Sequence, residues 1–422
     1  MKSHEVPEGW ELKKITDIGE IISGSTPSTS VQKYWDGSIV WITPDDLSIN
    51  DSIYLETSSR KITENGLKNS SARIIPHDSI VMSSRAPIGY LAIMKVDFAT
   101  NQGCKSFKLK NDNPEFVYYL LSFNMPRIKQ QGEGTTFSEI SKSQLGKVKL
   151  SLPKSQKEQQ KIASILLTID KAIEKTKALI EKNKKAKQGL MQDVFTKGID
   201  ETGKPCTKFK KTKLGKIPVE WDVKELRYVG SFKNGINKDK ESFGHGIKFV
   251  NIIDAYLDEL NIEKLDLIDA NFKEVHDYRL EPGDIIFVRS SVKPEGVGYN
   301  TLFNGFKEDV VFCGFMIRYR IFDKTNNSPS FYNYYFRYEE FRKRLLALST
   351  ISANTNINQE SLKKLLCIIP IKQEQKRITD RISAIESNIH SEEKYLNKLI
   401  QIKTGLMQDL LTGKVRVKVA AA

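Results

Sequence analysis

Two stretches of the chain carry apolar residues at a strict 4-3 spacing. From Ile162 this spacing picks out Ile162, Leu166, Ile169, Ile173, Thr176, Ile180, Asn183, Lys187, Leu190 and Val194. From Ile378 it picks out Ile378, Ile382, Ile385, Ile389, Glu392, Leu396, Leu399, Lys403, Leu406 and Leu410. Seven of the first ten and eight of the second ten are apolar, while the positions between are mostly Lys, Glu, Gln and Asn. That is the seam of a coiled coil, and its matched phase predicts that the two helices pair. Pro153 and Pro370 sit just before the helices, where proline is compatible with a start. A helix from 157 to 194 would be roughly 55 Å long at about 1.5 Å per residue.

The blocks before each seam alternate in a way that predicts short strands and at least one helix. Ile39–Ile42, Ser79–Met82 and Gly89–Lys95 are the strand candidates of the first block; Lys248–Ile253, Asp284–Val288 and Val310–Ile321 are those of the second. A helix follows in each, opened by Asn113-Pro114-Glu115-Phe116 and by Ser328-Pro329-Ser330-Phe331, a capping residue before a proline. Tyr118, Tyr119 and Phe123, and then Tyr332, Tyr334, Tyr335 and Phe336, follow at helical spacing. This reads as core packing rather than a platform for stacking bases. The fold class expected is α+β.

An internal repeat organises these pieces. Gly-Leu-Met-Gln-Asp occurs at 189–193 and again at 405–409, 216 positions later, and the same offset carries Glu158-Gln159 onto Glu374-Gln375 and Ile162 onto Ile378. Pro7-Glu8-Gly9-Trp10-Glu11-Leu12 returns in looser form as Pro218-Val219-Glu220-Trp221-Asp222-Val223, at an offset of 211. A repeat this long is a duplicated domain plus helix, not a solenoid. If the two seams pair, chain order makes the pair antiparallel, with a pseudo-twofold relation between the halves and the blocks at opposite ends. Phe195 to Pro218 holds seven lysines against two acids, with Gly198, Gly203, Gly215 and Pro205, and reads as a solvated linker.

Charge narrows the partners. Lys plus Arg number 66 against 52 Asp plus Glu, a net +14, which favours a polyanion, nucleic acid ahead of membrane. No apolar run is long enough to span a bilayer, and MKSHEVPEGW has no apolar signal core, so no membrane association and a cytoplasmic location are expected. Cys104, Cys206, Cys313 and Cys367 form no CxxC pair, and His4, His77, His245, His276 and His390 show no ligand spacing, so no metal and no cofactor are expected.

The order of Pro/Trp opening, variable block and Gln-rich helix ending in Gly-Leu-Met-Gln-Asp, then the whole unit again, resembles the specificity subunits of type I restriction–modification systems. The resemblance covers nearly the whole chain, apart from Val415 to Ala422, and departs from itself only where Val219-Glu220 replaces Glu8-Gly9. It implies a first target-recognition domain over 1–152, a first spacer helix over 153–195 and a linker over 196–217. A second target-recognition domain then covers 218–369, and a second spacer helix 370–414. It further implies a bipartite double-stranded DNA target whose unread gap the helices set. The partners it implies are two adenine-methyltransferase subunits, joined by motor-nuclease subunits in the full complex. The alternative is a coiled-coil protein whose end domains hold other proteins.

No catalytic centre is expected. Asn113-Pro114-Glu115-Phe116 lacks the second proline of a methyltransferase Asn-Pro-Pro-aromatic motif, and Phe243-Gly244-His245-Gly246 reads as a glycine turn rather than a cofactor loop. Base-reading residues are sought instead in loops after strands. There Arg can bond guanine, Asn or Gln can bond adenine, and Lys usually meets phosphate. The first block offers Ser84 and Arg85, then Asn101, Gln102 and Lys105; the second offers Lys233, Asn234, Asn237 and Lys238, then Arg289, Ser290 and Lys293, and Asn300. Arg85 and Arg289 are expected at equivalent places, where a structural ion pair is the rival role.

Overall fold

The computed structural model describes residues 6–85, 87–132, 139–256, 260–351 and 355–418. The chain divides into two units, the first made of 1–177 with 394–422 and the second of 178–393. Each unit therefore takes one half of each long helix, Gln156–Lys197 and Lys372–Leu410. All twenty seam positions are buried or half-buried.

The two units repeat one topology. In the first, a five-stranded sheet runs in the order Gly19–Ser23, Cys104–Leu109, Ile80–Ser83, Leu91–Met94, Tyr54–Leu55. In the second, Gly230–Asn234, Met316–Ile321, Asp284–Val288 and Asn300–Phe303 follow the same order, as four strands among the described residues. Each unit adds a three-stranded sheet with one parallel pair, Trp35–Ile42 beside Phe98–Thr100 and Phe243–Val250 beside Val310–Phe312. The Pro/Trp openings pair antiparallel with the strand that leads into each long helix, Trp10–Lys14 with Lys149–Pro153 and Asp222–Glu225 with Leu366–Ile369.

Several sequence expectations change in detail. Val310–Ile321 is two strands in different sheets, split by a turn at Cys313–Phe315. Gly244 to Gly246 is a register-shifting bulge, and the first unit has its counterpart between Trp35 and Ile39. The stretch expected to be a solvated linker is partly built into the second unit. Phe195, Ile199 and Ile217 are buried in its core, and Phe209–Thr212 pairs with Gly215–Pro218 as a hairpin. Its lysines concealed those apolar anchors.

Both block helices start where expected, with the Asn113 side chain accepting from Phe116 N at 2.8 Å and Ser328 Oγ accepting from Phe331 N at 3.5 Å. Their aromatics are core: Tyr119, Phe331, Tyr332, Tyr335 and Phe336 are all buried. Each cap residue is itself held from the long helix. Gln159 Oε1 accepts from Asn113 N at 2.9 Å while its Nε2 donates to Asp112 and to the Pro153 carbonyl. Gln375 does the same with Ser328 N at 2.7 Å and the carbonyls of Asn326 and Pro370.

The glutamate before each glutamine holds the opening tryptophan. Glu374 accepts from Trp221 Nε1 and from Ile199 N, both at 2.8 Å. Glu158 accepts from Trp10 Nε1 at 3.4 Å and from Arg416 through Nε and Nη2, both at 2.8 Å. Gly198 and Gly413 end the two helices at positive φ, 67° and 73°, each against the opening proline and tryptophan of its unit. Only glycine adopts that conformation readily, and a Cβ there would meet the rings.

A second linkage is duplicated with the helices exchanged. In the first unit Tyr119 donates to Asp170 at 2.7 Å, and Lys403 pairs with Asp170 at 2.7 Å. In the second, Tyr334 donates to Glu386 at 2.5 Å, and Lys187 pairs with Glu386 at 2.5 Å. Asp170 and Glu386 are 216 positions apart, as are Lys187 and Lys403. The acid comes from the first helix in one unit and from the second in the other, which requires the helices to run antiparallel. One register holds for both: each ion pair joins residues whose numbers add to 573.

These linkages make two predictions. Replacing Glu374 with Gln keeps size but aims an NH2 at one of two N–H donors. We expect a loss of about 1–3 kcal/mol, the scale of a hydrogen bond to a charged group. Urea unfolding with an unchanged midpoint would show that the carboxylate is not needed. At Glu386, burial pushes the pKa up, but the bonds from Lys187 and Tyr334 outweigh it and hold the group below its ordinary 4.5. Its stabilisation is therefore full above that value and fades as pH falls through the depressed one. The stability gap between wild type and Lys187→Met should narrow on acidification below pH 4.5; a gap constant with pH would contradict the assignment.

Candidate nucleic-acid interface

In each unit three loops meet at one end of the main sheet. In the first they follow Gly19–Ser23, follow Ile80–Ser83, and turn from Phe98–Thr100 into Cys104–Leu109. In the second they follow Gly230–Asn234, follow Asp284–Val288, and turn from Val310–Phe312 into Met316–Ile321. A glycine lets two of them touch: a Cβ on Gly24 would strike the carbonyls of Thr100 and Asn101, and one on Gly235 those of Phe312 and Cys313.

Hydrogen bonds align the two clusters residue by residue. Ser84 N donates to the Gly103 carbonyl as Arg289 N donates to that of Phe315, both at 2.8 Å. The Ser84 carbonyl accepts from Ile140 N, and that of Arg289 from Ile357 N. Arg85 is bridged to Glu139 as Ser290 is to Asn356. The counterpart of Arg289 is therefore Ser84, and that of Arg85 is Ser290. This corrects the expectation that the two arginines are equivalent: spacing to the nearest strand misses by one residue, and only the ladder settles it.

All five residues proposed in the first block gather in its cluster, but two face inward. Ser84 is fully buried, and Lys105 is 5% exposed with Nζ 3.3 Å from Ser84 Oγ and from the Gln102 carbonyl. Burial lowers the Lys105 pKa, opposed by Glu139 at 3.8 Å. Lys105 thus braces the cluster instead of facing solvent, as a lysine in a loop was expected to do. Asn101 Oδ1 caps the turn by accepting from Gly103 N at 2.9 Å, and Gln102 bonds Thr26 across the loops. Arg85 is partly exposed, 4.0 Å from Glu139.

The second block's residues split into two groups. Arg289 donates to the Gly314 carbonyl at 3.4 Å, Asn237 lies over the bare Cα of Gly314, and Asn234 lies against the Gln359 amide. Ser290 and exposed Lys293 flank a hollow of about 720 Å³ lined also by Tyr256, Val292 and Phe315. Lys233 and Lys238 turn away to Asp277 at 3.6 Å and Glu274 at 2.8 Å. Asn300 is fully buried, its amide donating to Asn333, and so is a core residue rather than a loop reader. Thr26, Glu139, Phe315 and Asn356 belong to the clusters although no local pattern marks them; Glu139 and Asn356 arrive through strand pairing, Thr26 through its bond to Gln102 and Phe315 through the bond its carbonyl accepts from Arg289 N. Among the described residues no group of His, Cys, Asp and Glu is arranged to hold a metal, and no helix is long and apolar enough to cross a membrane; His4 lies outside those residues.

The comparisons agree with this duplicated arrangement. The profile described as "Type I restriction modification DNA specificity domain" matches twice, over residues 7–182 and 218–401. The chain is 40% identical to the type I restriction enzyme MjaIX specificity subunit of Methanocaldococcus jannaschii over 238 residues, which span 55% of this chain and only 54% of that relative. It is 26% identical to the MjaVIII specificity subunit of the same organism over 99% of this chain and 96% of that one. A crystal structure of the type I restriction–modification S subunit from M. genitalium has the same fold, at 14% identity, a TM-score of 0.57 and coverage of 100% and 99%. With the family's domain matched in both halves, the chain belongs to the type I restriction–modification DNA specificity family.

Proposed function

We propose that each unit reads one half of a bipartite duplex target through its loop cluster. The observation that carries this is that one scaffold is built twice with different side chains at matching places. Ser84-Arg85 stands opposite Arg289-Ser290, and Asn101-Gln102 opposite Cys313-Gly314. Shared strand order with exchanged loop chemistry suits two readers of two different sequences. Arg289 is the residue best suited to guanine, while exposed Val292 and Phe315 suit the methyl of thymine. On this reading the chain carries no catalytic group. Two methyltransferase subunits, and motor-nuclease subunits in the full complex, supply the chemistry, and the long helices set the gap between half-sites.

Arg289→Ala should relax one position of one half-site by about 1–3 kcal/mol and leave the other half-site as it was. Sequencing methylated sites in cells carrying the variant with its methyltransferase would show this; changes in both half-sites would refute the two-reader scheme. Helical geometry gives a separate test. Four residues inserted after Ala172, matched by four after Asn388, add about 6 Å and nearly restore the helical face. Two residues turn the attached chain by roughly 200° and break the seam. The four-residue variant should methylate unchanged half-sites across a longer gap and the two-residue variant should be inactive. An unchanged gap would mean that the helices are not the ruler.

A further inference from the structure

Between the two family matches, which end at 182 and resume at 218, lies a segment with a charge pattern found nowhere else in the chain. Lys204 to Lys216 contains six lysines and no acid. It is not a loose tether. Asp200 N donates to the Lys204 carbonyl at 2.8 Å, and Arg381 donates to that of Gly203 at 2.6 Å. Val219 N donates to the Lys208 carbonyl at 3.1 Å, and Leu214 packs on the core of the second unit. The hairpin register places Lys210 opposite buried Ile217, and Phe209 and Lys211 opposite Pro218 and Lys216. Opposed residues share a face and faces alternate, so one face carries Lys210 and buried Ile217, and the other carries Phe209, Lys211 and Lys216, with buried Pro218 at the end of the ribbon. Lys213 follows on that face at the turn, Lys208 stands just before the first strand, and Lys208, Lys211, Lys213 and Lys216 are all exposed. Among the described residues none of the four has an acidic partner. The matching helix end of the first unit carries no such ribbon in the described residues: the chain runs from Gly413 to Arg416, whose guanidinium is tied to Glu158.

Uncompensated lysines on a two-stranded ribbon held rigid by its inner face meet the needs of phosphate binding. The charge is already assembled, and little side-chain order must be gained beyond the lysine tips. We propose that this ribbon is a sequence-independent clamp on the DNA phosphate backbone, with Lys208, Lys211, Lys213 and Lys216 as its contacts. The proposal rests on the reading that the chain binds duplex DNA, and it gives the second unit a grip without a counterpart among the described residues of the first.

The test is duplex binding by the full chain, using DNA of about 40 base pairs and mixed sequence, titrated across salt. The variant Lys208→Gln/Lys211→Gln/Lys213→Gln/Lys216→Gln should bind at least tenfold more weakly, at moderate salt, to cognate and unrelated duplexes alike. Its log–log salt slope should fall by about 2–4 if two to four phosphate contacts are lost. Replacing the same four lysines with arginine should preserve both affinity and slope. An unchanged slope in the glutamine variant, or a loss confined to the cognate sequence, overturns the clamp. Unchanged DNA binding with lost capture of a purified methyltransferase subunit would make the ribbon a protein-docking surface and also overturn it. A wild-type chain without salt-sensitive duplex binding overturns the clamp and the DNA-reading function together, whereas normal wild-type binding with an indifferent variant overturns the clamp alone.

Discussion

A carboxylate taken out of water must be met by donors or it costs several kcal/mol, and Glu158 and Glu374 are 3% and 4% exposed. Their donors come from far along the chain: an opening tryptophan 148 or 153 residues earlier, and then Arg416 or the backbone of Ile199. Each unit can close only when those segments meet at the first turn of a long helix. The adjacent glutamine extends the constraint to the block helix. Its oxygen accepts and its amide donates, whereas the glutamate must accept twice. Neither side chain can do the other's task, which is why the pair appears in the same order in both halves.

Because the lock sits at the head of each helix, it also fixes which helical face each block meets. The Tyr–acid–Lys linkages then join block to helix and helix to helix. Each long helix gives the acid in one unit and the lysine in the other. A change to one helix is thus felt differently in the two units, although their sequences match at these places. The loop clusters depend on this scaffold only for position. Their own chemistry is free to differ, as Ser84 and Arg289 do at one ladder position.

Much of this was legible in the sequence because it is local or periodic. The seams, the proline-led caps at Asn113 and Ser328, and the repeated Glu-Gln all announce themselves within a few residues. The meaning of Glu-Gln did not, since its partners are remote. The site was less legible. Lys105 and Asn300 have the composition of readers, yet strand pairing buries them, and the equivalence of Arg289 with Ser84 depends on hydrogen bonds to segments without sequence likeness. Ile199 and Ile217 were hidden by the lysines around them, since a charge-rich stretch conceals isolated apolar anchors from any windowed reading.

The composition of the first unit has a consequence for biosynthesis. Its core includes Leu410 and Leu411, and its buried Glu158 waits for Arg416, 258 residues later. The ribosome needs on the order of ten seconds to a minute for that stretch, at about 5–20 residues per second. The second unit, 178–393, is contiguous and can be finished while the first still exposes the apolar groove of Ile162, Ala163 and Leu166. During that interval the late helix of a neighbouring nascent chain offers the same side chains to the groove. Which helix fills it is set by effective concentration, and the tether of the chain to its own late helix favours filling from within the chain over exchange with a neighbour.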